Sequence, residues 1–314
     1  MTRFRAYQLG SIGSSFSYFN GTKFTLIEGR FNEDNAQSIY AELRTCSRNR
    51  IDCLHISSWD DDHCAPSEIS NLLTTLKPWQ FELPSYDPLT GSGLMSLSII
   101  KNYVQQMAMN GLGVECKAVN TSFLSSLSPI TKFTDNDVFF NTGTSAFDNS
   151  NDKSTVKFFR SSGFSVLSLG DVENPRIAEN LLNDDLLKTE VDVMILAHHG
   201  ADNGFTTGEF LSAIRPAIAI CSSNHSNEFN HPKPEIRNLL SAHQIPLMTT
   251  KNGDIIIESG ISGNFTALNL ITNSTKIDDS KTFKSKRQQH QDWFVSLLSR
   301  NQIAQQNFGL GNWK

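Results

Sequence analysis

Cysteine is scarce in this sequence, and its spacing is not that of a disulfide framework. Of 314 residues five are cysteines, at positions 46, 53, 64, 116 and 221, with no Cys-x-x-Cys pair. An odd number of scattered cysteines argues against a disulfide scaffold. We therefore expect unpaired cysteines that are not metal ligands, and a reducing cytoplasmic location.

Long apolar runs and a basic excess are also missing. No run approaches the roughly 18–20 apolar residues of a membrane span, and no apolar segment follows the charged N-terminus, so we expect neither membrane contact nor a secretory signal. Lys plus Arg total 27 against 32 Asp plus Glu, a net charge of −5. This balance argues against binding nucleic acid by bulk electrostatics. It does not exclude a nuclease that reaches phosphates through metal ions.

Short apolar runs alternate with helical patterns along most of the chain. Predicted helices lie at about 34–44, 67–76, 95–109 and 175–187, where apolar residues recur three and four positions apart. Predicted strands are short apolar runs bounded by polar or glycine-containing turns, at about 4–9, 16–18, 23–27, 51–56, 155–159, 164–169, 191–197, 216–221, 246–250 and 254–258. This alternation predicts an α/β protein with layered sheets.

The chain changes character near residue 272. A polar stretch at 273–281 precedes the basic tract Lys284-Ser-Lys-Arg287, and Trp293, Phe294, Leu297 and Leu298 then recur at helical spacing. We interpret residues 1–271 as one domain and 272–314 as a C-terminal appendage with an amphipathic helix. That helix either closes the domain as a surface helix or contacts a protein partner.

Polar residues that suit metal chemistry follow several predicted strands. The run Ser57-Ser-Trp-Asp-Asp-Asp-His63 follows one strand, Gly170-Asp171 a second, and His198-His199-Gly200 a third. His231 lies in a proline-rich loop, Asn230-His-Pro-Lys-Pro234. Carboxylate and imidazole together suit Zn²⁺, Mn²⁺ or Fe²⁺. Each motif alone also fits ordinary loop chemistry, and adjacent histidines point apart, so at most one of His198 and His199 would bind a metal.

In their joint order these motifs resemble the metallo-β-lactamase superfamily, and more narrowly the hydrolase-like domain of the bacterial DNA-uptake protein ComEC. The resemblance covers about residues 4–260. The residues that carry it are Leu9-Gly-Ser-Ile-Gly13, Leu26-Ile-Glu-Gly29, Ser58-Trp-Asp-Asp-Asp-His63, Gly170-Asp-Val-Glu173, Val193 to Gly200, and His231-Pro-Lys-Pro-Glu235. It implies an αββα sandwich of two mixed sheets flanked by helices, with a metal site at one edge of the sheets.

The resemblance also implies a ligand set for one or two divalent ions, Zn²⁺ or Mn²⁺. Asp60 would belong to a first site, Asp62 and His63 to a second, and Asp171 would bridge them. His231, His198 or His199 would complete the second site. Residues 151–154, with Asn151 and Ser154, would supply the third group of the first site.

One departure from the family pattern bears on this ligand set. Ser58 stands where the family has its first histidine, and His55 lies too early, within a strand, to replace it. Either the first site holds a hard ion such as Mn²⁺ or Mg²⁺ on oxygen ligands, or the protein works with one metal or none.

The resemblance implies a hydrolase with metal-activated hydroxide as nucleophile. We prefer a phosphodiesterase or nuclease acting on single-stranded nucleic acid or nucleotides. Asp62 would orient the nucleophile, while His198 or His199 with Lys233 would steady the phosphate or the leaving oxygen. Two alternatives stay open: a lactone, thioester or β-lactam hydrolase, and a degenerate, non-catalytic binding or regulatory subunit.

Overall fold

The computed structural model describes residues 1–128, 131–141, 147–224 and 229–308, with side chains up to residue 297. Residues 309–314 of the predicted C-terminal appendage and the side chain of Leu298 in its predicted helix lie outside this part. The described strands are β1 (Arg3–Ala6), β2 (Phe16–Phe19), β3 (Phe24–Ile27), β4 (Cys53–His55), β5 (Gln80–Pro84), β6 (Glu115–Val119), β7 (Val138–Phe140), β8 (Val156–Phe159), β9 (Val166–Ser168), β10 (Val193–Ile195), β11 (Ile218–Cys221), β12 (Leu247–Thr249), β13 (Ile255–Ser259), β14 (Asn264–Leu270) and β15 (Ile277–Lys284).

Helices connect these strands and cover the sheets. The α-helices are α1 (Glu33–Thr45), α2 (Asp61–Cys64), α3 (Pro66–Leu76), α4 (Gly91–Met109), α5 (Thr121–Ser125), α6 (Pro175–Leu182), α7 (Asp185–Glu190), α8 (Gly208–Ile214), α9 (Pro234–Ala242) and α10 (Lys286–Phe308). The single helix predicted at 175–187 is wrong. The chain leaves the helix after Leu182, and the Asp184 carboxylate accepts a hydrogen bond from the Leu186 N–H, which starts α7.

Two mixed sheets form the centre of the molecule. The first sheet has nine strands in the order β15-β14-β13-β1-β2-β3-β4-β5-β6, with β3 to β6 parallel. The second has six in the order β12-β11-β10-β9-β8-β7, with β9 to β12 parallel. Parallel strands place their carboxyl ends at a common edge, so the loops that follow them converge there.

The described residues form a helix layer, two sheet layers and a second helix layer, and three apolar clusters lie between neighbouring layers. One lies between the sheets and includes Phe4, Phe159 and Ile195. A second packs the first sheet against the side of α1, α3 and α4, and a third packs the second sheet against α6 to α9. Burying each large apolar side chain contributes about 1.5–3 kcal/mol. Helix, sheet, sheet and helix layers confirm the αββα fold class predicted from the sequence.

Strand β1 shows why the sequence produces layers. Its residues alternate, so Phe4 and Ala6 face the core between the sheets while the two arginines face the helical layer. Arg3 Nε lies 2.7 Å from Glu42 Oε1 of α1, and Arg5 Nη2 lies 2.7 Å from Asp254 Oδ2. The charged face of the strand therefore finds partners where it leaves the core.

The polar stretch after residue 272 contains a strand that the sequence analysis did not assign. Strand β15 pairs antiparallel with β14 and forms one edge of the first sheet. Helix α10 follows, and its Lys286 N–H donates a 2.7 Å hydrogen bond to Asp192 Oδ1. The predicted boundary at 271/272 thus falls between two paired strands.

Two expectations from the sequence concern the state of the cysteines and the apolar character of the helices. All five cysteines are free thiols; Cys116 is exposed and the other four are buried. Across the described ranges, no helix combines the length and apolar character needed to cross a membrane.

Candidate metal centre

The candidate metal centre lies at the edge where the parallel strands end. Asp62 and His63 lie in the short helix α2, which follows β4; Asp171 follows β9, and His199 follows β10. His198 and His199 have positive φ angles of 44° and 54°, a sparsely populated region that stores strain and is typical of functional turns. The sequence motifs therefore converge as the order of parallel strands requires.

Four side chains come close enough to share one ion. Ligand atoms of Asp62, His63, Asp171 and His199 all lie within 4.8 Å of one another. His63 Nε2 is 2.9 Å from Asp171 Oδ2 and 3.9 Å from Asp62 Oδ2. His199 Nε2 is 3.3 Å from Asp62 Oδ2 and 3.9 Å from Asp171 Oδ1. Two carboxylates thus alternate with two imidazoles around a common point.

Each imidazole is oriented by a hydrogen-bond acceptor on its other nitrogen. His199 Nδ1 lies 2.9 Å from the Ser222 carbonyl oxygen, so Nδ1 carries a proton and Nε2, which faces the carboxylates, is the nitrogen that a bound ion would take. His63 Nδ1 lies 3.3 Å from Glu28 Oε1. Glu28 is held in turn by the Ser57 hydroxyl, which donates a 2.6 Å hydrogen bond. Such outer contacts fix the ligating tautomer in metal sites.

The charges in the cluster are strongly coupled. Burial by itself raises the pKa of Asp62 and of Asp171, but the imidazoles of His63 and His199 hold both below the usual range. Burial lowers the pKa of the two histidines, yet the neighbouring carboxylates raise both pKa values above the ordinary one. In the ion-free cluster the histidine protons balance the carboxylates, and a bound cation would displace those protons.

The donor set fits one divalent ion. His63 Nε2 is buried and lies 2.9 Å from Asp171 Oδ2, an ion-pair contact without the geometry of a hydrogen bond. A buried ring nitrogen without a hydrogen bond is costly unless a cation takes its lone pair. Two imidazoles and two carboxylates suit Zn²⁺ and Mn²⁺ alike.

The residues expected at a first metal site are arranged differently. Ser58 Oγ donates a 3.2 Å hydrogen bond to Asp60 Oδ2 and lies 3.1 Å from the Tyr86 hydroxyl. Asp60 does not belong to the group of four ligands that the structure brings together. Ser154 Oγ is buried without a hydrogen-bond partner in the described residues. One carboxylate among neutral hydroxyls is a poor set for a second divalent ion.

The remaining predicted residues do not belong to the group of four side chains. His198 Nδ1 lies 3.1 Å from Glu173 Oε2, and His231 stacks on His199 with ring centroids 6.3 Å apart. Lys233 begins the turn into α9, where its N–H donates to the Gly200 carbonyl oxygen. Asn151 begins a single helical turn that ends before Ser154. His198 and His231 therefore lie beside the ligands rather than among them.

A small cavity opens above the cluster. It has a volume of about 150 Å³, and its lining includes Asp62, His198, His199 and His231. Ile12 and Phe229, 42% and 49% exposed, also line it. The sequence analysis assigned no role to Tyr86, Ser222 or Phe229, because nothing in their local pattern distinguishes them from ordinary loop residues.

The chain is similar in sequence to one curated protein and in fold to several solved structures. No family model matches the chain. Competence protein ComA from Neisseria gonorrhoeae is 33% identical over 100 residues, which are 32% of this chain and 14% of ComA. The chain therefore matches only about a seventh of the relative's length, and the match agrees with the predicted resemblance to a DNA-uptake protein.

Solved structures of metallo-β-lactamase-fold proteins are similar at low identity. YhfI from Bacillus subtilis matches at 10% identity with a TM-score of 0.45, covering 82% of this chain and 99% of that one. Tm1679, described as a metal-dependent hydrolase of the β-lactamase superfamily, matches at 12% identity with a TM-score of 0.49, covering 83% and 100%. The four layers of this chain and the position of the candidate site at the sheet edge agree with the fold that the sequence resemblance predicts.

Proposed function

We propose that this protein is a metal-dependent hydrolase that cleaves phosphodiesters in single-stranded nucleic acid or nucleotides. The observation that carries the proposal is the group Asp62, His63, Asp171 and His199, whose ligand atoms lie within 4.8 Å of one another beside an open cavity. A divalent ion held there would lower the pKa of water and polarise a substrate oxygen.

Asp62 is the residue that would orient the attacking water. Its side chain is 27% exposed, whereas those of His63, Asp171 and His199 are 2%, 5% and 9% exposed. Asp62 and His199 both line the cavity, and Asp62 is the more exposed of the two. Its carboxylate can accept a hydrogen bond from water and hold a proton within reach of the leaving oxygen.

Cationic and imidazole groups around the cavity support a phosphate substrate. His198 is 27% exposed and keeps its Nδ1 directed at Glu173, which leaves Nε2 as the atom available to a substrate oxygen. Lys233 follows His231 in the adjoining loop. A cavity of about 150 Å³ accommodates a small group rather than a duplex, which favours single strands or nucleotides. The resemblance to the ComEC hydrolase-like domain supports the same substrate class.

Metal content and cleavage test the proposal together. Protein purified without chelator should contain about one Zn²⁺ or Mn²⁺ per chain by elemental analysis and should hydrolyse bis(p-nitrophenyl) phosphate and single-stranded oligonucleotides when loaded with that ion. Asp171→Ala should lose the ion and at least about a hundredfold in activity. Asp278→Ala, which alters an exposed carboxylate on β15, is the matched control and should behave as wild type.

Three outcomes would contradict the proposal. A protein that neither binds the ion nor cleaves any of these substrates would be a non-catalytic subunit. Cleavage that survives Asp171→Ala would come from a contaminating nuclease. Efficient hydrolysis of a lactone or thioester with no cleavage of phosphodiesters would leave the metal centre in place and change the bond that is broken.

A further inference from the structure

A wide groove lies at the amino ends of β10 and β11 in the second sheet. The metal centre lies at the opposite side, where these strands have their carboxyl ends. The groove has a volume of about 880 Å³, and Lys188, Arg215, Lys286, His290 and Trp293 line it. Lys188 and Arg215 precede β10 and β11, whereas His199 follows β10. The basic groove, as we call these five residues and the space between them, is therefore separated from the ligands by the length of β10, about 10 Å for three residues.

A second cavity continues the basic groove. Its volume is about 480 Å³, it shares Arg215 and Ala217 with the first, and it extends to His243 at the end of α9. The two cavities together form a track along the amino ends of β10 and β11. Arg215 lies where the two cavities meet, so a ligand that occupies both would pass over its guanidinium.

The charge of this track is uniformly positive. Neither lining includes an aspartate or glutamate, although the chain has a net charge of −5. Within the described residues, Arg215 forms no ion pair. Lys188 pairs only with the exposed Asp185, at 3.4 Å. Cations that outnumber their counter-charges repel one another, and a polyanion would relieve that repulsion.

The ammonium group of Lys286 is partly buried among these cations. It donates hydrogen bonds to the carbonyl oxygens of Lys188 and Ile214, at 2.9 and 2.5 Å, and so it is held at the floor of the groove. Burial lowers the pKa of Lys286 to about 8, and the charge of Arg215 lowers it while Asp192 opposes the shift. An anion in the groove would add a counter-charge to the one that Asp192 supplies to Lys286.

An exposed aromatic side chain adds a second kind of contact. Trp293 is 61% exposed on α10, where it faces the basic groove. The His290 ring lies beside it in the lining and contacts Phe133, at 5.2 Å between ring centroids. Cations that follow a backbone and an aromatic ring that stacks on bases are the two parts of a binding surface for single strands.

We propose that the basic groove binds single-stranded nucleic acid, with phosphates on Lys188, Arg215 and Lys286 and a base stacked on Trp293. The proposal rests on the proposed function, since it supplies a holding site for the strand whose end is cleaved at the metal centre. A duplex keeps its bases stacked internally and offers Trp293 no free face. An acidic peptide would use the cations and leave Trp293 without a role.

Binding is best measured on the whole chain in EDTA, so that cleavage does not occur. A short fluorescein-labelled oligothymidylate should raise its anisotropy on binding, and the affinity should fall with salt. Arg215→Glu should weaken binding by about tenfold or more and flatten the salt dependence. Arg44→Glu makes the same charge reversal on exposed α1, outside the groove, and should change little.

A second variant pair isolates the aromatic contact. Trp293→Ala should weaken binding by about tenfold, whereas Trp293→Phe should retain most of it. Thermal unfolding of each variant checks that the fold is intact. Equal affinities for Arg215→Glu and Arg44→Glu would overturn the proposal. So would an affinity for polyglutamate that equals the affinity for the oligonucleotide.

The proposal for the basic groove and the proposal for the metal centre can be refuted independently of each other. Arg215→Glu should leave Mn²⁺-dependent hydrolysis of bis(p-nitrophenyl) phosphate unchanged, because that small substrate does not reach the groove. Strand binding without any hydrolysis would keep the groove and refute the catalytic proposal. Hydrolysis with strand binding that ignores Arg215 and Trp293 would refute the groove alone.

Discussion

Glu28 supports the candidate metal centre although it is not one of the four candidate ligands. It is 1% exposed, has a positive φ of 69°, and accepts hydrogen bonds from the Ser57 hydroxyl and backbone N–H. Its Oε1 atom lies 3.3 Å from His63 Nδ1. The charge of this carboxylate keeps the His63 Nδ1 proton in place and leaves Nε2 for an ion.

Glu28→Gln should weaken metal binding without removing a ligand. The amide oxygen still accepts one hydrogen bond, but the charge that makes His63 a stronger ligand is lost, so we expect a 10- to 100-fold lower affinity. Competition with a fluorescent chelator measures the change for Zn²⁺. Glu33→Gln, at the exposed start of α1, is the control, and equal affinities for the two variants would contradict this role for Glu28.

The sequence predicts which side chains come together at the candidate metal centre better than it predicts their arrangement. Asp62, His63, Asp171 and His199 were all named from motifs that follow strands, and parallel strands bring such motifs together. The distinction between Asp62 and Asp60 was beyond the sequence, because it depends on how the turn before α2 directs each carboxylate. Tyr86, which lies next to Ser58, comes from the loop after β5, and no local pattern connects the two.

At the level of elements, a buried ion pair joins the two sheets. Lys157 of β8 is 0% exposed, and its ammonium lies 2.7 Å from Glu82 Oε2 of β5 and 2.9 Å from Asp137 Oδ2. The rings of Phe159 and Phe139 lie 4.2 and 4.8 Å from the same ammonium. A buried charge without its partner is far more costly than an exposed one.

Lys157→Met should therefore lower the free energy of unfolding by about 3 kcal/mol, since it leaves Glu82 and Asp137 without their shared cation. Lys281→Met removes an exposed lysine whose ammonium lies 3.4 Å from Asp279, and it should cost less than about 1 kcal/mol. Urea unfolding of both variants measures the difference. Similar losses in the two would show that the buried pair contributes no more than a surface pair.

Asp192 joins the start of β10 to the start of α10. It accepts hydrogen bonds from the N–H groups of Lys286 and Ser165, at 2.7 and 3.0 Å. Burial raises its pKa to about 6 against the ordinary value of 3.8, although these hydrogen bonds oppose the shift. The folded protein therefore retains this proton over a pH range in which the unfolded chain has lost it.

That difference predicts how stability depends on pH. The folded state binds the Asp192 proton more tightly than the unfolded chain does. The stability that this proton gives the folded state is complete below about pH 4, is lost as the pH rises to about 6, and stays lost above that. The full effect is up to about 3 kcal/mol. The stability of wild type relative to Asp192→Asn, measured by urea unfolding at each pH, should fall across this window, and a constant difference would contradict the raised pKa.

The elements with a strong local pattern were predicted closely. The sequence placed β2, α1 and β8 within one or two residues, since short apolar runs bounded by turns and a helical repeat with a buried face leave little choice. Between residues 78 and 150 it indicated mainly α4. Strands β5, β6 and β7 in that region have weak alternation, and partners that lie elsewhere in the chain determine them.

For the whole molecule, the order of the strands, helices and motifs along the chain predicted the architecture. Two mixed sheets with helices on both outer faces follow from the alternation of short strands and helices, and the site lies where the parallel strands end. The basic groove was not foreseen, because Lys188, Arg215 and Trp293 are distant in sequence and the packing of α10 against α7 brings them together.

Strand β15 has a further consequence for the behaviour of the molecule in solution. It covers the hydrogen-bonding edge of β14, and its own outer edge carries Asp278, Asp279 and Lys281, charges that discourage another chain from adding a strand. A chain that ends at residue 271 would expose the bare edge of β14. We expect that shortened protein to self-associate, with light scattering that rises with concentration, while the full chain scatters as a monodisperse species; equal scattering would show that β14 needs no cover.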